Sequence, residues 1–383
     1  MARVPSLDGI RAVAFMLVFG VHAGLGRLVD NGVLRGDFGV TIFFFLSGFI
    51  ITTLLRSEFE KNGSIELTHF WMRRALRILP PFFVVLVASA LLTLVLYPTG
   101  ILSGPGVAAE LLFYSNYWVM SHSPDGGPPG LAVVWSLAVE EHFYLLFPLL
   151  YVGLQKWRVS PRNQALLLWG LCMAILAWRC VLAMALNASQ ARINFATDTR
   201  VDSILFGCAL AIWNNPALDR PTAATERWMR VLLPAALVML LASLLYHDPV
   251  FTKTWCYSLQ GVALSFVFMA AVLYHDALPF RFLNYRPVVY IGVLSYSLYL
   301  VHVVLMKAVF RLWPQAHAWQ SVPLAFAASL IAAWAIQQAV EKPCARARAR
   351  LAHQGIEPAD GTATAVSEVQ PQLPVGEAAQ RHS

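Results

Sequence analysis

Charge is scarce in this sequence. Asp, Glu, Lys and Arg make up 13% of its 383 residues, where a soluble domain carries roughly a quarter, which excludes a single water-facing globule. Cysteine is sparse too. Cys172, Cys180, Cys208, Cys256 and Cys344 show no CxxC or CxxH spacing, so neither a zinc site nor a disulfide framework has support, and no metal is expected. Missing as well are a GxxxxGK phosphate loop, an HExxH zinc pair and a basic patch interleaved with aromatics. These absences argue against nucleoside-triphosphate hydrolysis, zinc proteolysis and nucleic-acid binding. No internal repeat appears, which weighs against a transporter built from inverted halves. No removable signal peptide is apparent, because the first apolar run carries Asp8 and Arg11 and lacks a distinct basic leader; that run is expected to stay as a signal anchor.

What is abundant is apolar surface: 58% of residues are hydrophobic and the mean hydropathy is +0.60. The fold class expected is an all-α integral membrane bundle of about ten spans, near 9–29, 38–55, 81–97, 133–154, 165–186, 196–213, 231–246, 258–275, 288–310 and 322–341. Most Lys and Arg outside these spans fall on one side if both termini are cytoplasmic, as the positive-inside bias requires. The longest outer connection, 98–132, holds no Lys or Arg. Within it 107–120 is too short to span and reads either as an interfacial or re-entrant piece or as an apolar loop packed on the outer face. The expected division is a membrane domain over 1–345 and a disordered cytoplasmic tail over 346–383.

Several ionisable residues lie inside the apolar runs, where each is costly unless it faces a polar interior. Arg11 and His22 share one helical face and are ~16 Å apart along its axis. Glu140 and Glu141 are adjacent within WSLAVEEHFY, so at ~100° per residue at most one faces a given site squarely. Counted from the outer ends, Glu140 and His22 lie at a similar depth, ~10 Å down, and could meet as a His–acid pair. Arg73, Arg74 and Arg77 precede the third span. Arg74 and Arg77 share a face and could converge on a phosphate-rich ligand, although basic residues there are also ordinary topology signals or lipid contacts. DTRVD places Asp198 and Asp202 on one face with Arg200 close enough to neutralise one of them; helix capping is an equal explanation for the acids. Ser295, Tyr299 and His302 form a polar stripe in LSYSLYLVH. Ser47 lacks a GxSxG elbow, and small residues at 47–48 suit close helix packing.

Taken in order, Arg11 and His22, FFFLSGF (43–49), RRALRILP (73–80), WSLAVEEHFY (135–144), DTRVD (198–202) and SYSLYLVH (295–302) resemble the acyltransferase-3 family of integral-membrane O-acyltransferases over roughly 5–345. The resemblance implies a bacterial inner-membrane enzyme with no tightly bound cofactor, using acyl-CoA, most often acetyl-CoA, as donor. Its acceptor would be a hydroxyl of an envelope polysaccharide, lipopolysaccharide or similar molecule. It implies that Arg11 and His22 are an essential pair, and that Arg74 and Arg77 are the family's Arg-x-x-Arg pair at the cytoplasmic face. Two departures are visible: His142 where the family usually has Gln, and Phe82 near a position more often Tyr. Some relatives carry a C-terminal extracytoplasmic hydrolase-like domain; none is seen in this chain, so transfer is expected to be completed by the membrane domain or by a partner.

The expected division of labour has Arg73, Arg74 and Arg77 holding CoA phosphates and His22 acting as general base, oriented by Glu140 or Glu141. Asp198, Arg200, Asp202, Tyr299, His302 and Ser47 would line the pocket. The competing class is a proton-coupled transporter or exporter using the same ionisable residues as a proton path.

Overall fold

The computed structural model describes residues 4, 6–24, 36–97, 102–122 and 127–354, with side chains to 349. Among them the chain is helical throughout, with no β-strand. The helices are α1 (Leu7–His22), α2 (Gly36–Asn62), α3 (Leu67–Leu96), α4 (Gly104–Leu111), α5 (Ser115–His122), α6 (Trp135–Lys156), α7 (Pro161–Cys180) and α8 (Gln190–Phe195). They continue as α9 (Thr197–Ile212), α10 (Ala223–Leu245), α11 (Pro249–Lys253), α12 (Trp255–Leu273), α13 (Arg286–Leu312), α14 (Ala318–Ile336) and α15 (Lys342–Gln354). Eight helical stretches are long and apolar enough to cross a membrane. As far as they are described, the ten expected segments fall on helices, residues 25–29 of the first lying outside the described residues; the two outside those eight are α1 and α9, each 16 residues long as described.

Helix composition explains position. α2 is apolar on nearly every side of GVTIFFFLSGFIITTLL and is buried along most of its length, as an all-round hydrophobic helix must be. It lies along α9, and the two backbones touch where both lack a side chain. A Cβ on Gly48 would fall 2.0 Å from the Ile204 carbonyl oxygen, and one on Gly207 would fall 2.1 Å from that of Phe45. The small-residue packing expected at 47–48 is therefore present. α1 packs on α13, which also carries α14, while α7 and α12 flank α9. α10 and α14 bury few residues and present Val231, Val238, Leu241, Leu324 and Ile331 outward, the pattern of helices that face lipid.

The 107–120 segment is two eight-residue helices, α4 and α5. Asn116 on α5 donates to the Phe195 carbonyl and the Thr197 hydroxyl, fastening this piece to the start of α9. Glu110 on α4 is buried without a cation in ion-pair reach among the described residues. Burial pushes its carboxyl up to about 8. Of the tail expected over 346–383, residues 346–354 belong to α15, which packs on α3; residues 355–383 lie outside the described residues, as does 124–126 of the PDGGPPG turn.

Candidate functional site

Five helices converge on a chamber of about 120 Å³. α1 contributes Arg11, α2 Ser47, α3 Arg74 and Arg77, α6 Ser136, Glu140 and Tyr144, and α13 Ser295, Tyr296 and Tyr299. Helical spacing accounts for each set. Arg74 and Arg77 are i, i+3, while Ser136, Glu140 and Tyr144 follow at steps of four and so stand one above another on α6. The Tyr144 hydroxyl donates to Glu140 Oε2 at 2.7 Å and lies 3.2 Å from Ser47 Oγ. The Tyr299 hydroxyl is 2.8 Å from Ser136 Oγ and 3.0 Å from the Val133 carbonyl oxygen. Phe43, Leu46, Ile50, Leu137 and Ile78 make the remaining wall apolar.

The cations of this chamber differ in their partners. Arg11 pairs with Asp8 at 2.5 Å. Arg74 lies over the Phe70 and Tyr144 rings, at 5.8 and 6.0 Å from their centroids. Among the described residues neither Arg74 nor Arg77 has a carboxylate within 4.0 Å. Arg73 does not join them: it pairs with Glu58 at 2.7 Å, because one residue step turns it ~100° away from Arg74. Glu141 is likewise turned from the chamber, and its Oε1 is buried without a partner among the described residues.

His22 stands apart from this chamber and is linked to it through α13. It is exposed at the end of α1, and its Nδ1 lies 3.1 Å from Nε2 of the fully buried His302. His302 Nδ1 faces two carbonyl oxygens, Tyr299 at 2.7 Å and Leu298 at 3.2 Å. Carbonyls only accept, so Nδ1 carries the hydrogen and Nε2 of the neutral ring accepts from His22 Nδ1–H. His22 Nε2 is left with its lone pair. The residue in hydrogen-bond contact with His22 is His302, where the sequence predicts a glutamate. Equal depth on two helices does not fix the direction in which each side chain points, and Glu140 is turned into the chamber, bonded to Tyr144.

The DTRVD residues form a separate cluster that does not line the chamber. Asp202 meets Arg179 of α7 at 2.7 Å, both fully buried, and also accepts from the Ser258 hydroxyl and the Ser203 amide. Asp198 takes Arg192 at 2.5 Å and the Trp178 indole N–H at 2.7 Å. Arg200 neutralises neither acid, contrary to expectation. Two residue steps turn it away from both acids, and it lies 3.7 Å over the Tyr257 ring and donates to Thr41 Oγ1 at 3.0 Å. Residues that sequence patterning passed over include Ser136, Tyr144, Tyr296 and Arg179. The spacing of four from Glu140 signals the first two, and an arginine inside the apolar run 165–186 is the same signal that marked Arg11.

Among the described residues no cluster of His, Cys, Asp and Glu could hold a metal ion. What the chamber can hold is an anion at its unpaired guanidinium groups and an apolar arm along its wall, within reach of a line of groups from Tyr299 through His302 to His22.

The Acyl_transf_3 family model, described as an acyltransferase domain, matches residues 4–338. The chain is 30% identical over 355 residues to the peptidoglycan O-acetyltransferase OatA of Listeria monocytogenes, a match covering 89% of this chain and 55% of that protein. It is 33% identical over 310 residues to the O-acetyltransferase OatA of Staphylococcus aureus, covering 78% of this chain and 50% of that one. The chain thus spans about half the length of the curated relatives it matches. No solved structure matches it.

Proposed function

The chain belongs to the Acyl_transf_3 family of acyltransferases, and on that premise we propose that it transfers an acyl group, acetyl first among them, from acyl-CoA to a hydroxyl of a cell-envelope glycan. The names of the relatives favour a cell-wall glycan as acceptor. The observation that carries the donor assignment is the pair Arg74 and Arg77, without carboxylate partners in a largely apolar chamber. Guanidinium groups partly removed from water and lacking a counter-charge are best satisfied by a phosphorylated ligand. The orientation we assign is ten spans in the bacterial inner membrane with both termini cytoplasmic. Arg74 and Arg77 then face the cytoplasmic donor pool, and His22 stands ~16 Å above Arg11 towards the outer side.

In this scheme the arginines hold donor phosphates and the apolar wall guides the pantetheine arm past Arg11. His22 Nε2 removes the proton from the acceptor hydroxyl. The oxygen then attacks the thioester carbonyl carbon, and the tetrahedral oxyanion is met by the Tyr299 hydroxyl, whose ring lies 5.6 Å from that of His302. The C–S bond breaks, and the departing thiolate takes the proton back from the His22 imidazolium. Glu140, tied to Tyr144 and Ser47, shapes the chamber and offsets part of its positive charge.

The test is incubation of the lipid-reconstituted protein with labelled acetyl-CoA and glycan acceptor. Acceptor-dependent CoA release is expected, falling by roughly 10²–10⁴ in His22→Ala. Wild-type release by a normally inserted His22→Ala protein, or pH-driven solute flux with no CoA release, would sink this reading.

A further inference from the structure

A second, more polar cavity of about 140 Å³ adjoins the chamber, lined by Arg11, Arg77, Ser295, Tyr296, Glu341 and Arg348 among others. The first four also line the chamber, so the two spaces share a wall. Glu341 sits in the π-helical turn Gln337–Glu341 that joins α14 to α15, and its carboxylate accepts from the Ser297 hydroxyl. Arg348 comes from α15, which continues the helical run of α14 through that turn and packs on α3. Its side chain is half-buried on the inward face, whereas Arg346 of the same helix is exposed. Like Arg77, Arg348 has no carboxylate within 4.0 Å among the described residues.

We propose that α15 completes the donor site, with Arg348, Arg77 and Arg11 forming a cradle for the phosphorylated nucleotide end of acyl-CoA. The division follows from the two walls. The chamber is mainly apolar and suits the pantetheine arm and acyl group. The adjoining cavity is mainly polar, and its two unpaired guanidinium groups exceed the one carboxylate that lines it, Glu341. Forked N–H donors on separate helices suit the several oxygens of a 3′-phosphate and a diphosphate. This inference rests on acyl-CoA being the donor.

The test uses the full chain in nanodiscs of phosphatidylcholine and, separately, of phosphatidylglycerol. CoA, adenosine 3′,5′-bisphosphate and pantetheine serve as probes. Arg348→Ala should weaken CoA and adenosine 3′,5′-bisphosphate about tenfold in phosphatidylcholine, leave pantetheine unchanged, and be partly rescued by Arg348→Lys. Arg346→Ala, on the exposed face, should leave all three as they were and reports that α15 still folds. If Arg74→Ala weakens CoA while Arg348→Ala does not, this inference falls and the donor assignment stands. An Arg348 effect seen only in phosphatidylglycerol identifies a lipid phosphate as the ligand and also overturns it. If the wild-type chain binds neither CoA nor the bisphosphate, the donor assignment falls and takes this inference with it.

Discussion

Arg179 on α7 is fully buried against Asp202 at 2.7 Å, and its other N–H groups go to the Thr199 and Thr254 carbonyls and the Ser258 hydroxyl. Arg74 and Arg77 on α3 face a cavity, with no carboxylate in ion-pair reach among the described residues. The side chain is the same in both places, and what differs is where the counter-charge comes from. Around Arg179 the fold supplies it, so the cluster on α7, α9 and α12 is a fastening between helices. Around Arg74 and Arg77 no described carboxylate supplies it, and in the function proposed above the donor's phosphates take that place. An arginine in an apolar run is thus not a functional residue by its presence alone; its partner decides.

The sharpest way to break this contrast is Arg179→Ala. It leaves Asp202 as a buried, uncompensated charge, and the expected cost is about 3–5 kcal/mol of stability, seen as loss of folded protein in detergent thermal-shift assays. Normal stability would mean that the cluster is not a fastening. Glu110 tests the same rule from the acidic side, since the fold leaves this carboxyl without a cation. Its folded-state pKa of about 8 lies above the ordinary 4.5, so the folded form keeps a proton that the unfolded form gives up. Stability should therefore fall as pH rises from about 4.5 to about 8. Glu110→Gln should flatten that slope, measured as melting temperature against pH; an unchanged slope would assign it to other groups.

Arg74→Ala and Arg77→Ala should do the opposite of Arg179→Ala. Each should weaken CoA binding about tenfold, or ~1.4 kcal/mol, with the melting temperature held or raised, because an unpaired cation leaves the bundle. A large fall in melting temperature with intact binding would place them with Arg179. The smallest effect is expected at the rim of the α9 cluster. Asp198 and Arg192 are partly exposed, at 41% and 26%, and Asp198→Asn should cost only about 0.2–1 kcal/mol, diminishing with salt.

Much of the bundle can be read from the chain. The ten apolar segments fall on helices because length and hydropathy are local properties, and α6 carries one glutamate into the chamber and turns its neighbour away because the helical step is fixed. Direction between helices is not local. Counting depth places Glu140 and His22 level, yet His302, 280 residues away from His22 in sequence, is the residue that touches it. The same blindness paired Arg200 with the acids beside it, when Asp202 reaches across to Arg179 and Asp198 to Arg192. Ends of elements are also hard to read. α3 begins at Leu67, well before the apolar run, and α15 continues through residues whose charge and small side chains suggested a tail.

The polar cavity takes Arg11 from the first helix and Arg348 from α15. Its walls therefore cannot meet during synthesis until nearly all the described chain has been inserted and α15 has packed on α3. A ribosome stalled after α14 leaves a helical, membrane-held chain in which this compartment has not yet been made. Assembly itself acts as a checkpoint: a partly built protein lacks the cradle, and any protease or mutation that removes α15 returns a finished one to that earlier state.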